Sequence, residues 1–408
     1  MDRYVEVSFH AMAFGGDAIG RLKDGSTIFA PFALPGERAR VQILEQRKGY
    51  SRGKVVELLE RSPRRIQPRC PHFGDCGGCH YQQLSYADQL VLKQQIIQDQ
   101  FQRIAGITDL PLESIEPSPS EWNYRNAVQF HQDADGKLGY HAAGSHHVVP
   151  IRECHLPESA IDSVWPQITM DYLPGLDEVQ LRSGVDGQVM MALVMDGELP
   201  ELGIELPISV AHVSPAGTLI LAGDDHLRMQ VNGTDFRLSP GSFFQVNTSQ
   251  AGRMVDDLLD HLELSERATL LDVYCGVGLF SRFLAPGVGR LAGIELSPSA
   301  CEDYAANLDD FNNVELYMGS AGDVLSSLEI HPNAVILDPP RAGLEKLAMK
   351  ALLGIHPQAI AYVSCDPATL ARDAKLLIDA GYNLDRVKPF DLFPQTAHIE
   401  SISLFQLA

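Results

Sequence analysis

No run of apolar residues in this chain approaches the ~18 that a membrane-spanning helix requires. Its start, MDRYVEVSFH, lacks the basic-then-apolar pattern of a secretory leader, so a cytoplasmic location without membrane contact is expected. No fixed-period repeat and no low-complexity tract is present, which excludes solenoid and array architectures. Positive charge is scarce: 32 Lys and Arg stand against 53 Asp and Glu, a net of −21. Wholesale coating of a polyanion is excluded, because phosphate contacts need local cations. Cysteine is also sparse, at seven residues, too few for a disulfide scaffold in a chain of this length. What is present, 45% hydrophobic and 21% charged residues over 408 positions, describes an ordinary soluble protein of two or three domains.

The few cations are unevenly placed. Residues 1–70 hold 13 Lys and Arg against 8 Asp and Glu, a net of +5, which leaves 19 against 45, or −26, for the remainder. That basic segment alternates short β-type runs (4–9, 27–30, 39–44, 54–59) with glycine turns at Gly15-Gly16 and Gly25. Strands so short and evenly spaced predict a small barrel. Arg38, Arg40, Arg47, Lys48, Arg52 and Lys54, with Tyr50 among them, would give it a basic, partly aromatic face. The pattern resembles a TRAM domain, an RNA-binding OB-like barrel.

Three of the seven cysteines follow at once, Cys70, Cys76 and Cys79, spaced C-x5-C-x2-C, and Cys154 is the fourth candidate. Four thiolates make a closed tetrahedral set, and Gly77-Gly78 lets backbone amides approach the sulfurs. Zinc and an iron–sulfur cluster both accept four cysteines, and spacing does not separate them. From 86 to 105 a Gln-rich segment with Leu90, Leu92, Ile96, Ile97, Phe101 and Ile104 has helical spacing. Residues 115–240 then read as a mixed, β-rich domain, with strands expected at 127–131, 138–141, 189–194 and 218–222. Trp122-Asn123-Tyr124-Arg125-Asn126 forms a polar and aromatic cluster within it.

After PGSFFQVN at 240–247 and a helical run at 249–262, the period changes. Strand-like segments at 270–273, 290–295, 314–318, 334–337 and 360–363 alternate with helical ones, which predicts βαβ units and a parallel sheet covered on both faces. Asp272-Val273-Tyr274-Cys275-Gly276-Val277-Gly278 puts a G-x-G turn directly after the first strand, and Glu295 ends the second, 23 residues after Asp272. Such a carboxylate can hold ribose hydroxyls. A dinucleotide site would want a third glycine; D-x-x-C-G-x-G resembles instead the S-adenosylmethionine site of class I methyltransferases. Asp338-Pro339-Pro340-Arg341 ends the fourth strand, where diproline stiffens the turn and holds Asp338 at the ligand edge. Arg341 stands where amine methyltransferases carry a stacking aromatic, which argues against N-methylation.

The fifth strand stops at Ser364-Cys365-Asp366-Pro367. A thiol beside a methyl donor is a solution to carbon methylation. Carbon 5 of a pyrimidine becomes nucleophilic once a thiolate has added to carbon 6, and a base must then remove the carbon-5 proton. Glu400, 35 residues on in FPQTAHIE, is the candidate base, and His398 is its rival, sharing a face with it if this segment is a strand. Cys275 and Cys301 read as packing residues.

Together, the cysteine spacing, PGSFFQVN, D-x-x-C-G-x-G, DPPRAG, SCDPATLARD and FPQTAHIE make the chain resemble, over essentially its whole length, the RNA uracil-C5 methyltransferases. The match is to the TRAM-containing iron–sulfur branch that acts on 23S ribosomal RNA. The resemblance implies an α/β protein with an OB-like barrel (residues 1–62), a central β-rich region carrying the iron–sulfur site (63–240) and a Rossmann-like class I methyltransferase domain (241–408). It implies a 4Fe-4S cluster on Cys70, Cys76, Cys79 and Cys154, with zinc as the competing occupant. Cys365 would be the nucleophile and Glu400 the base, with S-adenosylmethionine contacted by Gln245, Tyr274, Glu295 and Asp338. One departure is Leu279, where relatives often carry Asn. A monomer acting on 23S rRNA is expected, the same chemistry on the T-loop uridine of tRNA being the alternative. A non-catalytic RNA-binding redox sensor would need neither Cys365 nor Glu400.

Overall fold

A computed structural model describes residues 4–197, 203 and 205–408. Five strands, β1 (Tyr4–Met12), β2 (Asp17–Arg21), β3 (Thr27–Pro31), β4 (Arg38–Arg47) and β5 (Tyr50–Glu60), close into a barrel in the order β1-β2-β3-β5-β4. Strand β2 lies between glycine turns and was not expected from the pattern. Four arginines of the expected basic face pair with carboxylates of the barrel itself: Arg38 with Glu6 and Glu60, Arg40 with Glu57, Arg47 with Glu45 and Arg52 with Asp17. Exposed pairs of this kind add little stability, but they offset positive charge that would otherwise face outward. The segment leaving the barrel after β5 is anchored to buried Glu37 of the β3–β4 turn, which holds Arg65 in a two-pronged pair at 2.6 and 2.8 Å.

Helix α1 (Tyr86–Gln100) starts at Ser85, whose hydroxyl accepts from Asp88 N, and ends in a π-type turn (Phe101–Ala105) closed by left-handed Gly106. Its buried stripe is Gln89, Leu92, Lys93, Ile96 and Ile97. The central region is a seven-stranded sheet built from β6 (Ala127–Gln132), β7 (Leu138–His141), β8 (Val148–Pro150), β9 (Leu176–Ser183), β10 (Val189–Met195), β11 (Ser209–Ser214) and β12 (Gly217–Ala222), ordered β12-β11-β10-β9-β6-β7-β8. One face packs Val128, Phe130, Val179, Leu181 and Leu193 against Ile161 of helix α2 (Ser159–Val164) and Trp165.

A hairpin, β13 (Leu227–Val231) and β14 (Thr234–Leu238), and helix α3 (Thr248–His261) lead into the last sheet. Its strands are β15 (Thr269–Val273), β16 (Arg290–Glu295), β17 (Val314–Met318), β18 (Ala334–Leu337), β19 (Ala359–Ser364), β20 (Tyr382–Phe390) and β21 (Glu400–Leu407), in the order β17-β16-β15-β18-β19-β21-β20. The first five are parallel, β21 runs against them, and β20, antiparallel to β21, forms the edge. Helices α4 (Leu279–Leu284), α5 (Pro298–Asn307), α6 (Ala321–Ser327), α7 (Lys346–Ile355) and α8 (Pro367–Asp379) make the crossovers. One sheet face shares a core with α1 and the barrel, and the other with α3, α4 and the hairpin. Among the described residues no helix is long and apolar enough to cross a membrane.

Candidate active site

The parallel strands all end at one edge, and the expected residues gather there because three successive turns deliver them. After β15 the chain turns through Tyr274, held at φ 66°, with Tyr274 N and Cys275 N both donating to Ile294 O. A non-glycine residue in that region is strained and marks a constrained site. The two glycines have different tasks. Gly276 (φ 55°) donates its amide to Glu295 Oε2 at 3.0 Å, whereas a Cβ on Gly278 would lie 2.4 Å from Leu308 of the α5 end. Glu295 Oε1 also accepts from Leu296 N and Ser297 N, both at 2.7 Å, so the carboxylate is oriented by three backbone amides. The residue also lines the cavity, with acceptor capacity left for a ligand.

Asp338 follows β18, and its amide bonds Val273 O. Cys365 follows β19, and Ser364 pairs in register with Ser401 of β21, which places Cys365 across from Glu400 in the adjoining position. Asp366 caps α8 by accepting from Ala368 N and Thr369 N, and this fixes the turn that carries the thiol. Gln245, Tyr274, Glu295, Asp338, Cys365, His398 and Glu400 all line one cavity of about 800 Å³, within the size range of small-molecule sites. Its opposite wall is the central sheet: Ala127, Gln129, Gln180, Arg182, Met190 and Ala192.

The cavity's electrostatics follow from burial and crowded acids. Burial, then the neighbouring Glu400 and Asp338, pushes the Cys365 thiol up to about 12, with Arg341 pulling the other way. Glu400 is driven well above the carboxylate range by burial and by Asp338. Asp338 itself rises to about 7 through burial and Asp272. His398 is lowered to about 3 by burial and by Arg341, whose Nη2 lies 3.3 Å from His398 Nδ1. His398 precedes β21 rather than lying in it, so it shares the cavity with Glu400 but not a strand face. Cys275 and Cys301 are buried, and Cys275 contributes to the cavity wall.

Cys70, Cys76, Cys79 and Cys154 line a second cavity of about 270 Å³, and all four thiols are free. Gly78 N approaches Cys76 Sγ at 3.4 Å, the close amide contact that glycine permits. Gly77 N bonds His141 O at 2.9 Å, and a Cβ there would lie 2.7 Å from that oxygen, so the loop is clamped to the end of β7. Burial raises Cys76 to about 11 and Cys79 to about 12. Among the described residues no group of three His, Cys, Asp or Glu is placed to hold a single metal ion.

Two further residues matter to the site, one within the cluster marked at 122–126 and one with little signal in the sequence. Arg125 borders both cavities, with its guanidinium over Tyr124 and Phe393. Lys93 is fully buried, donating to Asp391 at 2.6 Å and Phe393 O at 3.0 Å. A lysine on the apolar stripe of α1 was its one visible sign.

The family model described as tRNA (uracil-5-)-methyltransferase matches residues 219–407, and that of the TRAM domain matches residues 3–56. An uncharacterized RNA methyltransferase of Halalkalibacterium halodurans is 32% identical over 99% of this chain and 97% of its own length. One from Nostoc sp. is 33% identical over 99% and 96%. The chain belongs to the RNA uracil-5-methyltransferase family. The Pyrococcus abyssi tRNA (uracil-54, C5)-methyltransferase, solved with S-adenosyl-L-homocysteine, aligns over 98% of this chain and 100% of its own, with a TM-score of 0.73 and 26% identity. As a member of this family the chain is a TRAM-containing class I methyltransferase that takes S-adenosylmethionine as donor and uridine carbon 5 of RNA as acceptor.

Proposed function

We propose that this uracil-5-methyltransferase modifies a uridine of 23S rRNA, with Cys365 as nucleophile and Glu400 as base. One observation carries the mechanism: a thiol and a carboxylate in adjoining register on β19 and β21, on the wall of the cavity that also holds Tyr274, Glu295 and Asp338. The thiolate of Cys365 adds to carbon 6 of uracil and pushes the ring electrons onto oxygen 4 as an enolate. S-adenosylmethionine, which Gln245, Tyr274, Glu295 and Asp338 would hold, supplies the methyl group that carbon 5 takes as its sulfur–methyl bond breaks and S-adenosylhomocysteine is left. Ionised Glu400 removes the carbon-5 proton, the carbon 6–sulfur bond breaks, and Cys365 leaves as thiolate. His398, held near 3 and engaged by Arg341, is too weak a base to replace it.

Loss of methyl transfer in Cys365→Ala, together with loss of any covalent adduct to 5-fluorouridine RNA, is the expected result. Retained transfer would overturn the mechanism, whereas a wild type that methylates no RNA would leave the non-catalytic redox-sensor reading standing. The Pyrococcus abyssi enzyme favours a second target, the T-loop uridine of tRNA. Mass mapping of methyl groups on unmodified 23S rRNA and tRNA, each incubated with enzyme and S-adenosylmethionine, separates the two.

The four-cysteine cavity fits a 4Fe-4S cluster by its donor chemistry: four thiols from two separated segments line it, with a glycine amide turned toward a sulfur. Cys70, Cys76, Cys79 and Cys154 would hold it and tie the loop to the central sheet. Anaerobic purification with iron, sulfide and zinc analysis tests this, and stoichiometric zinc without iron would replace the assignment.

A further inference from the structure

Period-2 alternation gives the central sheet two unlike faces. Val128, Phe130, Val179 and Leu181 point into the core beneath α2. Their neighbours Ala127, Gln129 and His131 on β6, and Glu178, Gln180 and Arg182 on β9, point the other way. Cross-strand register sets Gln129 beside Gln180 and Ala127 beside Arg182. Arg125 and Gln129 border both cavities, so this face runs from the catalytic cavity to the cysteine cavity without interruption.

At its far end, two residues beyond Gln129 and roughly 7 Å along the strand, lie two imidazoles. His131 pairs with Gly139, and His141 is its diagonal neighbour on β7. The two rings stack with centroids 3.8 Å apart and planes 8° from parallel, and His146 meets His141 edge-on at 5.7 Å. The stack is fixed from both sides. His131 Nδ1 lies 2.7 Å from Asp177 O, and the cysteine loop holds the backbone of His141, with Gly77 N donating to His141 O. Ring-nitrogen lone pairs lie in the ring plane, so face-to-face imidazoles do not converge on one ion. Both residues are partly exposed, so what the pair can offer a ligand is a ring face.

We propose that the His131–His141 pair is a stacking site for a base of the RNA strand flanking the target uridine. The inference rests on RNA methylation as read above. Unpaired RNA bases stack on flat side chains carried by an open sheet face, and such contacts supply affinity without cations. That suits a chain whose net charge is −21. Burial, with His131 and His146 beside it, lowers the pKa of His141, and Glu178 opposes the shift. The lowered pKa favours the neutral ring, which acts through its face rather than as a cation.

The test compares His141→Ala with His141→Phe, which keeps a π face and removes both ring nitrogens. Full-length, anaerobically purified protein is titrated with an oligoadenylate dodecamer and with unmodified 23S rRNA transcript. Loss of one stacked base should weaken binding of both probes by about 5- to 30-fold in the Ala variant. The Phe variant should stay within about threefold of wild type. An unchanged Ala variant overturns the proposal, and so does a Phe variant as weak as Ala, which would mean that the ring nitrogens matter and the stack does not. His131→Ala, checked by circular dichroism and iron content, repeats the test from the other strand should the first variant misfold. Methyl transfer by wild type to 23S rRNA and tRNA is read in parallel. A wild type that binds both probes but methylates neither RNA sinks the proposed function while still deciding the stacking site.

Discussion

Cys365 and Glu400 are both held in the wrong protonation state for their proposed tasks in the free protein, since burial raises the thiol to about 12 and the carboxyl well above its usual range. The reactive forms are the ionised ones, so kcat/KM for RNA should rise with pH between about 6.5 and 9, a profile that reports on free-enzyme groups. A flat profile over that window would contradict the assignment. Glu400→Gln should still form the thiol adduct and accept the methyl group but fail to release product. The expected readout is a methylated protein–RNA adduct by mass spectrometry, with turnover down by roughly 10²–10⁴. Asp338 gives a stability test. Its folded pKa of about 7 lies above the unfolded value near 3.8, so between those values the unfolded chain releases a proton that the folded one keeps. Wild type therefore loses stability from pH 4 to 7 relative to Asp338→Asn, and the gap levels off above, at up to about 4 kcal/mol in denaturant titrations. At this scale the sequence was informative because turn chemistry marks strand ends: Asp-Pro-Pro, Ser-Cys-Asp-Pro and G-x-G each interrupt an apolar run where the sheet edge falls. Arg125 was not legible as a bridge between two cavities, because β6 meets the catalytic domain only in three dimensions.

Among the elements, α1 has the least obvious task. It lies between barrel and sheet and reaches the loop at 391–398 through Lys93–Asp391, a pair with both side chains fully buried, and through Gln89, which bonds Gln395 twice. Gln395 is at φ 69°, so the loop preceding Glu400 is held in a conformation that it would not adopt alone. Removing one member of a buried pair leaves an uncompensated charge. Lys93→Met should cost about 3–5 kcal/mol in chemical denaturation and reduce kcat, whereas Lys93→Met with Asp391→Leu should recover most of the stability. Recovery of stability without recovery of kcat would assign Lys93 to positioning the loop. The sequence disclosed the parallel strands, whose apolar runs are continuous because both faces are buried. It disclosed much less of β9, β11, β20 and β21. Strand β9, in the middle of its sheet, alternates polar and charged residues toward the cavity with apolar ones toward the core, and β20, at a sheet edge, carries Asp385, Arg386, Lys388 and Pro389. A sheet edge tolerates that pattern, but a local reading takes it for loop.

For the whole molecule, the question is how a chain of net charge −21 reaches RNA. The excess of cations in residues 1–70 points to the barrel, but four of its arginines are paired with Glu6, Asp17, Glu45, Glu57 and Glu60. Electrostatic attraction is thus left largely to exposed cations such as Lys48 and Lys54 on the β4–β5 side, and the sheet face supplies contacts that do not depend on charge. Salt dependence measures the balance, because each phosphate neutralised on a single strand contributes about 0.7 to the slope of log K against log salt. Lys48→Ala with Lys54→Ala should lower that slope by about 0.7 for each phosphate that the two ammonium groups neutralise. It should weaken RNA binding most at low salt and leave kcat at saturating RNA unchanged. Removing these side chains leaves the barrel core and its seam with α1 intact, which deletion of residues 1–60 would not, since Val7, Phe9 and Ile28 share one core with Tyr81 and Ile97. A slope indifferent to both lysines would place phosphate recognition on the central and catalytic domains instead.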